Sequence, residues 1–208
     1  MAKVKICGLS EPETLRAAVE AGADWIGFAF PEKSPRHVTH ETAAALIANI
    51  GASEPVALLL DPADDEIDAI LALGFRTLQL HGAETPERFA EVKARTGAEV
   101  WKALGVASEA DLAYAETFTA ADRLLIDAKP PEGATRTGGH GETFDWSILD
   151  GWAAPKPWLL AGGLTPENAK AAIAATNAPA LDVSSGVETA PGVKDAALIR
   201  AFIAAAKA

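Results

Sequence analysis

Cys7 and Asp127 are the two side chains whose type and position invite chemistry. Cys7, the only cysteine of the chain, closes the run Lys5-Ile6-Cys7 and is followed by Gly8. A nearby cation (Lys5) and a helix beginning near Ser10 would both lower a thiol pKa, so Cys7 reads either as a base or as a small buried hydrophobe. Asp127 closes Arg123-Leu124-Leu125-Ile126-Asp127 directly before a long loop. A carboxylate there can cap a turn or donate a proton. Asp182 closes the last apolar run and suits either an anion site or catalysis. Asp61, before Pro62, reads as a helix cap. Arg36, in Ser34-Pro35-Arg36-His37-Val38, is either a solvated arginine or a planar fork for a carboxylate. His37, His40, His81 and His140 make no convincing metal-ligand set.

The elements that must position these residues are legible as alternating strands and helices. Apolar runs predict strands at 3–7, 24–30, 55–60, 76–80, 98–104, 122–127, 157–161 and 180–183. Runs such as Val56-Ala57-Leu58-Leu59-Leu60 have the continuous apolar character of parallel strands covered on both faces. Helix punctuation lies between them. Ser10 with Glu13 and Ser108 with Asp111 read as capping boxes, and Thr85-Pro86-Glu87 and Thr165-Pro166-Glu167 as threonine caps followed by proline. Gly22, Gly51, Gly74 and Gly97 read as helix stops. Eight strands, each followed by a helix at about 26 residues per unit, predict one α/β domain over 1–208, a single (β/α)8 TIM barrel with parallel strands. An open doubly wound sheet would call for a glycine-rich loop after the first strand, and Cys7-Gly8-Leu9-Ser10-Glu11 is not one.

In such a barrel the chemistry lies at the C-terminal ends of the strands. The long loops 31–38 and 128–144 open on that face, the second rich in glycine like a movable lid or a plain insertion. Leu160-Ala161-Gly162-Gly163-Leu164 and Asp182-Val183-Ser184-Ser185-Gly186-Val187-Glu188 end strands seven and eight, the recurring phosphate position of the fold. Glycines let peptide N–H groups approach an anion closely, which makes Gly162, Gly163, Ser184, Ser185 and Gly186 candidate phosphate ligands.

Composition limits the partners. Hydrophobic residues make up 49% and charged residues 23%, as in a globular protein with a sizeable core. A net charge of −11 argues against nucleic acid or an anionic membrane, but local amides and cations can still hold a small phosphorylated ligand. One cysteine precludes an intrachain disulfide, and neither a signal peptide nor a membrane span is read from the sequence, so the expected compartment is the cytoplasm.

Taken together, the motifs resemble the phosphoribosylanthranilate isomerases of tryptophan biosynthesis over essentially the whole chain. The likeness rests on Lys5-Ile6-Cys7-Gly8-Leu9, Gly27-Phe28-Ala29-Phe30 with Ser34-Pro35-Arg36, and Leu78-Gln79-Leu80-His81-Gly82. It continues through Leu125-Ile126-Asp127, Gly138-Gly139-His140-Gly141 with Phe144-Asp145-Trp146, and the two glycine segments after strands seven and eight. The resemblance implies an Amadori rearrangement without metal or organic cofactor, in a monomer or homodimer. Asp127 would be the general acid and Cys7, as thiolate, the general base, with Arg36, His81 and Asp182 against the substrate. The histidine-pathway aminoaldose isomerase is disfavoured, because its paired aspartates at strands one and five are absent here. A catalytically silent phosphate-binding barrel is the remaining alternative.

Overall fold

The computed structural model describes residues 1–129 and 144–208. Eight parallel strands close into a barrel: β1 (Lys3–Cys7), β2 (Trp25–Ala29), β3 (Glu54–Leu59), β4 (Thr77–Leu80), β5 (Glu99–Val106), β6 (Arg123–Ala128), β7 (Trp158–Leu160) and β8 (Ala180–Val183). The seam is β1 on β8, with Lys3 opposite Ala180 and Ile6 opposite Val183. Helices α1 (Pro12–Glu20), α2 (His40–Ile47), α3 (Asp64–Ala72), α4 (Pro86–Thr96), α5 (Glu109–Glu116), α6 (Ala169–Thr176) and α7 (Ala196–Lys207) lie between or after the strands. Each of the eight barrel strands falls where an apolar run placed it, the largest difference being the two residues by which β5 continues past Leu104.

Side chains alternate across each strand, so one strand feeds two cores. Ile6, Phe28, Ala57, Leu78, Val100, Leu124 and Leu160 join the larger apolar cluster, which includes the helices' Leu15, Leu46, Ile67, Phe89 and Phe202. Their neighbours Trp25, Val56, Trp101, Leu125, Leu159 and Ala180 form a second, separate cluster, the filling of the barrel. Trp25 and Trp101 meet edge to face at 5.3 Å, and the Arg123 guanidinium lies 5.2 and 5.5 Å from their ring centres. Their indole N–H groups donate to Glu54 and Glu99 at 3.2 and 2.8 Å. The N-terminal end of the barrel is therefore plugged by large, hydrogen-bonded rings. Two residues further along the inward rows stand the groups of the mouth: Cys7 after Lys5, His81 after Gln79, Asp127 after Leu125, and Asp182 after Ala180.

Local punctuation differs from expectation at four places. The Ser10–Glu13 capping box does not form: α1 begins at Pro12, and Glu11 precedes it without a side-chain cap. Proline fits the first helical position, where its missing N–H costs nothing, and so sets the start one residue later. Thr165 does not cap α6, which starts only at Ala169. Instead the Asn168 side chain accepts from the Thr165 N–H at 2.8 Å and donates to the Gly163 carbonyl at 3.0 Å, holding a turn. Asp61 does not cap α3: it sits in the left-handed region at φ 46°, and its N–H goes to Glu84. Between β6 and β7 the described residues hold only a 3-10 turn, Trp146–Leu149, where a helix was expected. The Ser108–Asp111 box, the Thr85 cap and the left-handed Gly97 end of α4 form as read. After β8 comes a short antiparallel hairpin, β9 (Glu188–Ala190) and β10 (Val193–Lys194), that the apolar pattern did not announce. The glycine-rich stretch through Gly138-Gly139-His140-Gly141 lies outside the described residues.

Trp101→Ala is expected to cost about 3–5 kcal/mol of unfolding free energy in a denaturant titration, since it empties the centre of a fully buried plug. A loss below about 1 kcal/mol would mean that the barrel filling is not close-packed.

Candidate active site

Lys5, Cys7, Asp127 and Asp182 stand on the inward rows of β1, β6 and β8, where all four are buried and only Lys5 is wholly shut off from solvent. Lys5 is fully buried and donates to Asp182 Oδ1 at 2.9 Å. Burial works to lower the Lys5 pKa, but Asp182 and Cys7 outweigh it and hold it above the ordinary value, so Lys5 stays charged. Gly27 makes room for this group. A methyl group there would lie 2.8 Å from Cys7 Sγ and 3.1 Å from Lys5 Nζ.

The thiol does not behave as the sequence suggested. Burial pushes the Cys7 pKa up, and the pull of Lys5 and Lys194 only partly offsets burial and the repulsion of Asp182. The expected downward shift is not found: burial dominates, α1 starts five residues beyond Cys7, and Lys5 is already shared with Asp182. Asp127 is shifted in the direction that suits an acid. Burial first, then the negative charge of Asp182, raise its carboxyl to about 7, against the donated Ala128 N–H and the Lys5 charge. His81 Nε2 lies 3.7 Å from Asp127 Oδ2. Burial, with Lys102 and Lys5 nearby, lowers the His81 pKa to about 4, so this contact joins a neutral imidazole to a carboxyl group and is not an ion pair.

The remaining candidates fall into two neighbourhoods. Arg36 is buried, contrary to the solvated reading, and its Nε and Nη2 donate to the two Glu188 oxygens at 2.6 and 2.8 Å. The two glycine loops abut: a Cβ on Gly186 would strike the Leu164 carbonyl, and Gly162 and Gly163 adopt positive φ of 85° and 59°. Among the described residues, the N–H groups of Gly163, Ser185 and Gly186 meet no acceptor. Ser184 Oγ donates to the Cys7 carbonyl at 3.1 Å, tying the strand-eight loop to the strand-one end.

Sequence reasoning missed four charged residues that complete this end of the barrel. Glu84 receives the N–H groups of Asp61 and Gly82 and the Lys102 ammonium at 2.7 Å, fixing the loop that follows His81. Lys194 and Glu188 pair at 2.7 Å. The signal for Lys102 was a lone lysine within the apolar strand Val100-Trp101-Lys102-Ala103-Leu104, which implies a buried partner. No local signal points to Lys194. Beside His81 a cavity of about 300 Å³ is lined by Glu84, Lys102, Leu104 and Tyr114 among others.

The chain as a whole has well-matched counterparts among known proteins. The family model of N-(5'-phosphoribosyl)anthranilate isomerase matches residues 4–205. The chain belongs to this family. It is 60% identical to the N-(5'-phosphoribosyl)anthranilate isomerase of Hyphomonas neptunium over 208 residues, covering 100% of this chain and 98% of the relative. The Paracoccus denitrificans enzyme of the same name is 58% identical, with 99% and 97% covered. Among solved structures, the phosphoribosyl anthranilate isomerase of Thermotoga maritima superposes with a TM-score of 0.88 at 36% identity, covering 100% of this chain and 99% of that one. A further isomerase structure, in complex with reduced 1-(o-carboxyphenylamino)-1-deoxyribulose 5-phosphate, has a TM-score of 0.84 at 33% identity, with 100% and 99% covered.

The raised Asp127 carboxyl makes a stability prediction. Unfolded, the group releases its proton near pH 4; folded, it holds it to about 7, so folding stability falls as pH rises from about 4 to about 7 and the loss is complete above that. Asp127→Asn is therefore expected to stabilise the protein, fully above about pH 7 and not at all below about pH 4. Thermal melts at several pH values check this, and an Asn variant less stable at pH 8 would show that the buried carboxyl is not strained.

Proposed function

We propose that this chain catalyses the Amadori rearrangement of N-(5′-phosphoribosyl)anthranilate to 1-(2-carboxyphenylamino)-1-deoxyribulose 5-phosphate in tryptophan biosynthesis, with Asp127 as general acid and Cys7 as general base. The observation that carries the assignment of roles is the Asp127 carboxyl, kept protonated to about 7 in the same buried cluster as the chain's one thiol. Asp127 gives its proton to the furanose ring oxygen as the bond from that oxygen to C1′ breaks, leaving an iminium. The Cys7 thiolate takes the proton from C2′, the electron pair neutralises the iminium, and the enolamine formed tautomerises to the ketone. Hydrogen moves within the substrate, so the reaction calls for an acid and a base and no external oxidant or reductant.

The substrate's two anions match the other neighbourhoods. The phosphate would rest on the N–H groups of Gly162, Gly163, Ser185 and Gly186 and the hydroxyl side of Ser184 and Ser185, where free peptide N–H groups converge on abutting loops. The anthranilate carboxylate would take the Arg36 donors that Glu188 leaves unused, a planar fork already oriented by that pair. Neutral His81 can donate to or accept from the sugar beside Asp127, and Asp182 keeps Lys5 charged next to the thiol. No described helix is long and apolar enough to cross a membrane, which fits a cytoplasmic enzyme. Monomer and homodimer both remain compatible, the Thermotoga maritima enzyme being described as dimeric.

The pKa directions predict an inverted protonation pattern. The productive form needs Asp127 protonated and Cys7 ionised, yet the acid titrates at about 7 and the thiol above its ordinary value. The productive fraction then rises with pH until Asp127 begins to ionise near 7 and is flat above, until the thiol titrates. In kcat/KM profiles the bend near 7 should be present in the wild type and absent in Asp127→Asn, whose kcat should be at least about 100-fold lower. Cys7→Ser should lose at least about 100-fold in kcat, a hydroxyl ionising too reluctantly to replace the thiol. A serine variant within tenfold of wild type would remove Cys7 as the base.

A further inference from the structure

We propose that Lys194, on β10, is a positioning residue for the substrate's phosphate: it braces the strand-eight loop against the end of β1 and supplies that loop with a buried positive charge. The Lys194 ammonium donates to the Ser184 carbonyl at 2.9 Å, to Ser184 Oγ at 3.1 Å and to Glu188 Oε1 at 2.7 Å, while Ser184 Oγ donates in turn to the Cys7 carbonyl. All three ammonium protons are thus spent on holding the turn that carries Ser185 and Gly186. The side chain is 2% exposed, a burial that an ordinary surface lysine never shows. The hairpin of β9 and β10 carries it there. Its turn is closed by the Gly192 N–H on Glu188 Oε2, and Gly192 packs so tightly on the Pro35 carbonyl that no side chain would fit. Glu188 also grips Arg36, so one carboxylate orders both the phosphate loop and the proposed carboxylate fork.

Charge completes the argument. The groups facing Lys194 are Glu188 on β9, Arg36 before α2 and Cys7 on β1, with the Lys5–Asp182 pair behind Cys7. Glu188 is shared between two cations, so the trio of Glu188, Arg36 and Lys194 carries one net positive charge when Lys194 is protonated. Burial, against the opposing pull of Glu188, brings the Lys194 pKa down to about 8. A dianion on the adjacent loop would hold the proton on Lys194, and phosphate binding would then weaken as pH rises through about 8. This inference rests on the phosphate reading of the loops.

The test uses inorganic phosphate as a competitive inhibitor of the intact enzyme. Lys194→Met is expected to raise its inhibition constant at pH 7.5 by at least about tenfold, the scale of lost charged hydrogen bonds, and to raise KM by more than it lowers kcat. Lys194→Arg should restore part of the affinity. In the wild type the inhibition constant should climb above about pH 8, and this climb should be absent in the methionine variant. Should Lys194→Met not fold, the same readings are taken on Lys194→Gln, which keeps a donor and loses the charge. A variant that is merely less heat-stable, with wild-type phosphate inhibition and an unchanged pH climb, overturns the proposal. Wild-type enzyme that phosphate does not inhibit at all overturns the phosphate reading itself.

Discussion

The buried pair of Lys5 and Asp182 is the interaction on which the rest of the site depends. It joins the first and last strands, whose pairing turns a sheet into a barrel, and it does so with a lysine at 0% exposure. A lone ammonium there would be expelled or neutralised; with Asp182 at 2.9 Å it stays charged. Burial is the largest influence on the neighbouring groups, and this charge pair acts beside it. Asp182 helps to raise the Asp127 carboxyl, Lys5 pulls on the Cys7 thiol, and both cations, Lys5 and Lys102, help to keep His81 neutral.

The price of this cluster is carried by the remainder of the barrel. The C-terminal mouth holds buried charges whose desolvation is offset only by close partners: Lys102 with Glu84, Lys194 with Glu188, Arg36 with Glu188. The opposite end is closed by Trp25 and Trp101, and the strand faces outside the barrel bury a continuous apolar layer against the helices. Large buried rings at one end and paired buried charges at the other are thus separated along the barrel axis. Glycine serves the mouth where side chains would intrude: Gly27 beside the thiol and Gly186 against the facing loop.

The eight barrel strands and the two glycine segments were legible in the sequence, because continuous apolar runs and glycine clusters are local properties, whereas the β9–β10 hairpin was not. Cys7 and Asp127 stood out for the same reason: each ends such a run. Helix starts were less legible. Ser10 and Thr165 are good capping residues, yet Pro12 moved one start and the Asn168 side chain held a turn ahead of the other. Asp61 had the right chemistry for a cap, but its N–H was drawn to Glu84, a residue 23 positions away.

What the sequence by itself determined is therefore the barrel and the family to which the motifs belong. Only the tertiary structure decided the protonation states. Whether a thiol is lowered or raised depends on how much water burial removes and on which charges other strands bring near, and Asp182 lies 175 residues from Cys7 in the chain but in the same charge cluster. The same holds for the Lys194 brace and the Arg36–Glu188 pair, the latter spanning 152 residues. Apolar periodicity is written between neighbours and survives in the sequence; electrostatic partnership is written across the barrel and exists only once it has closed.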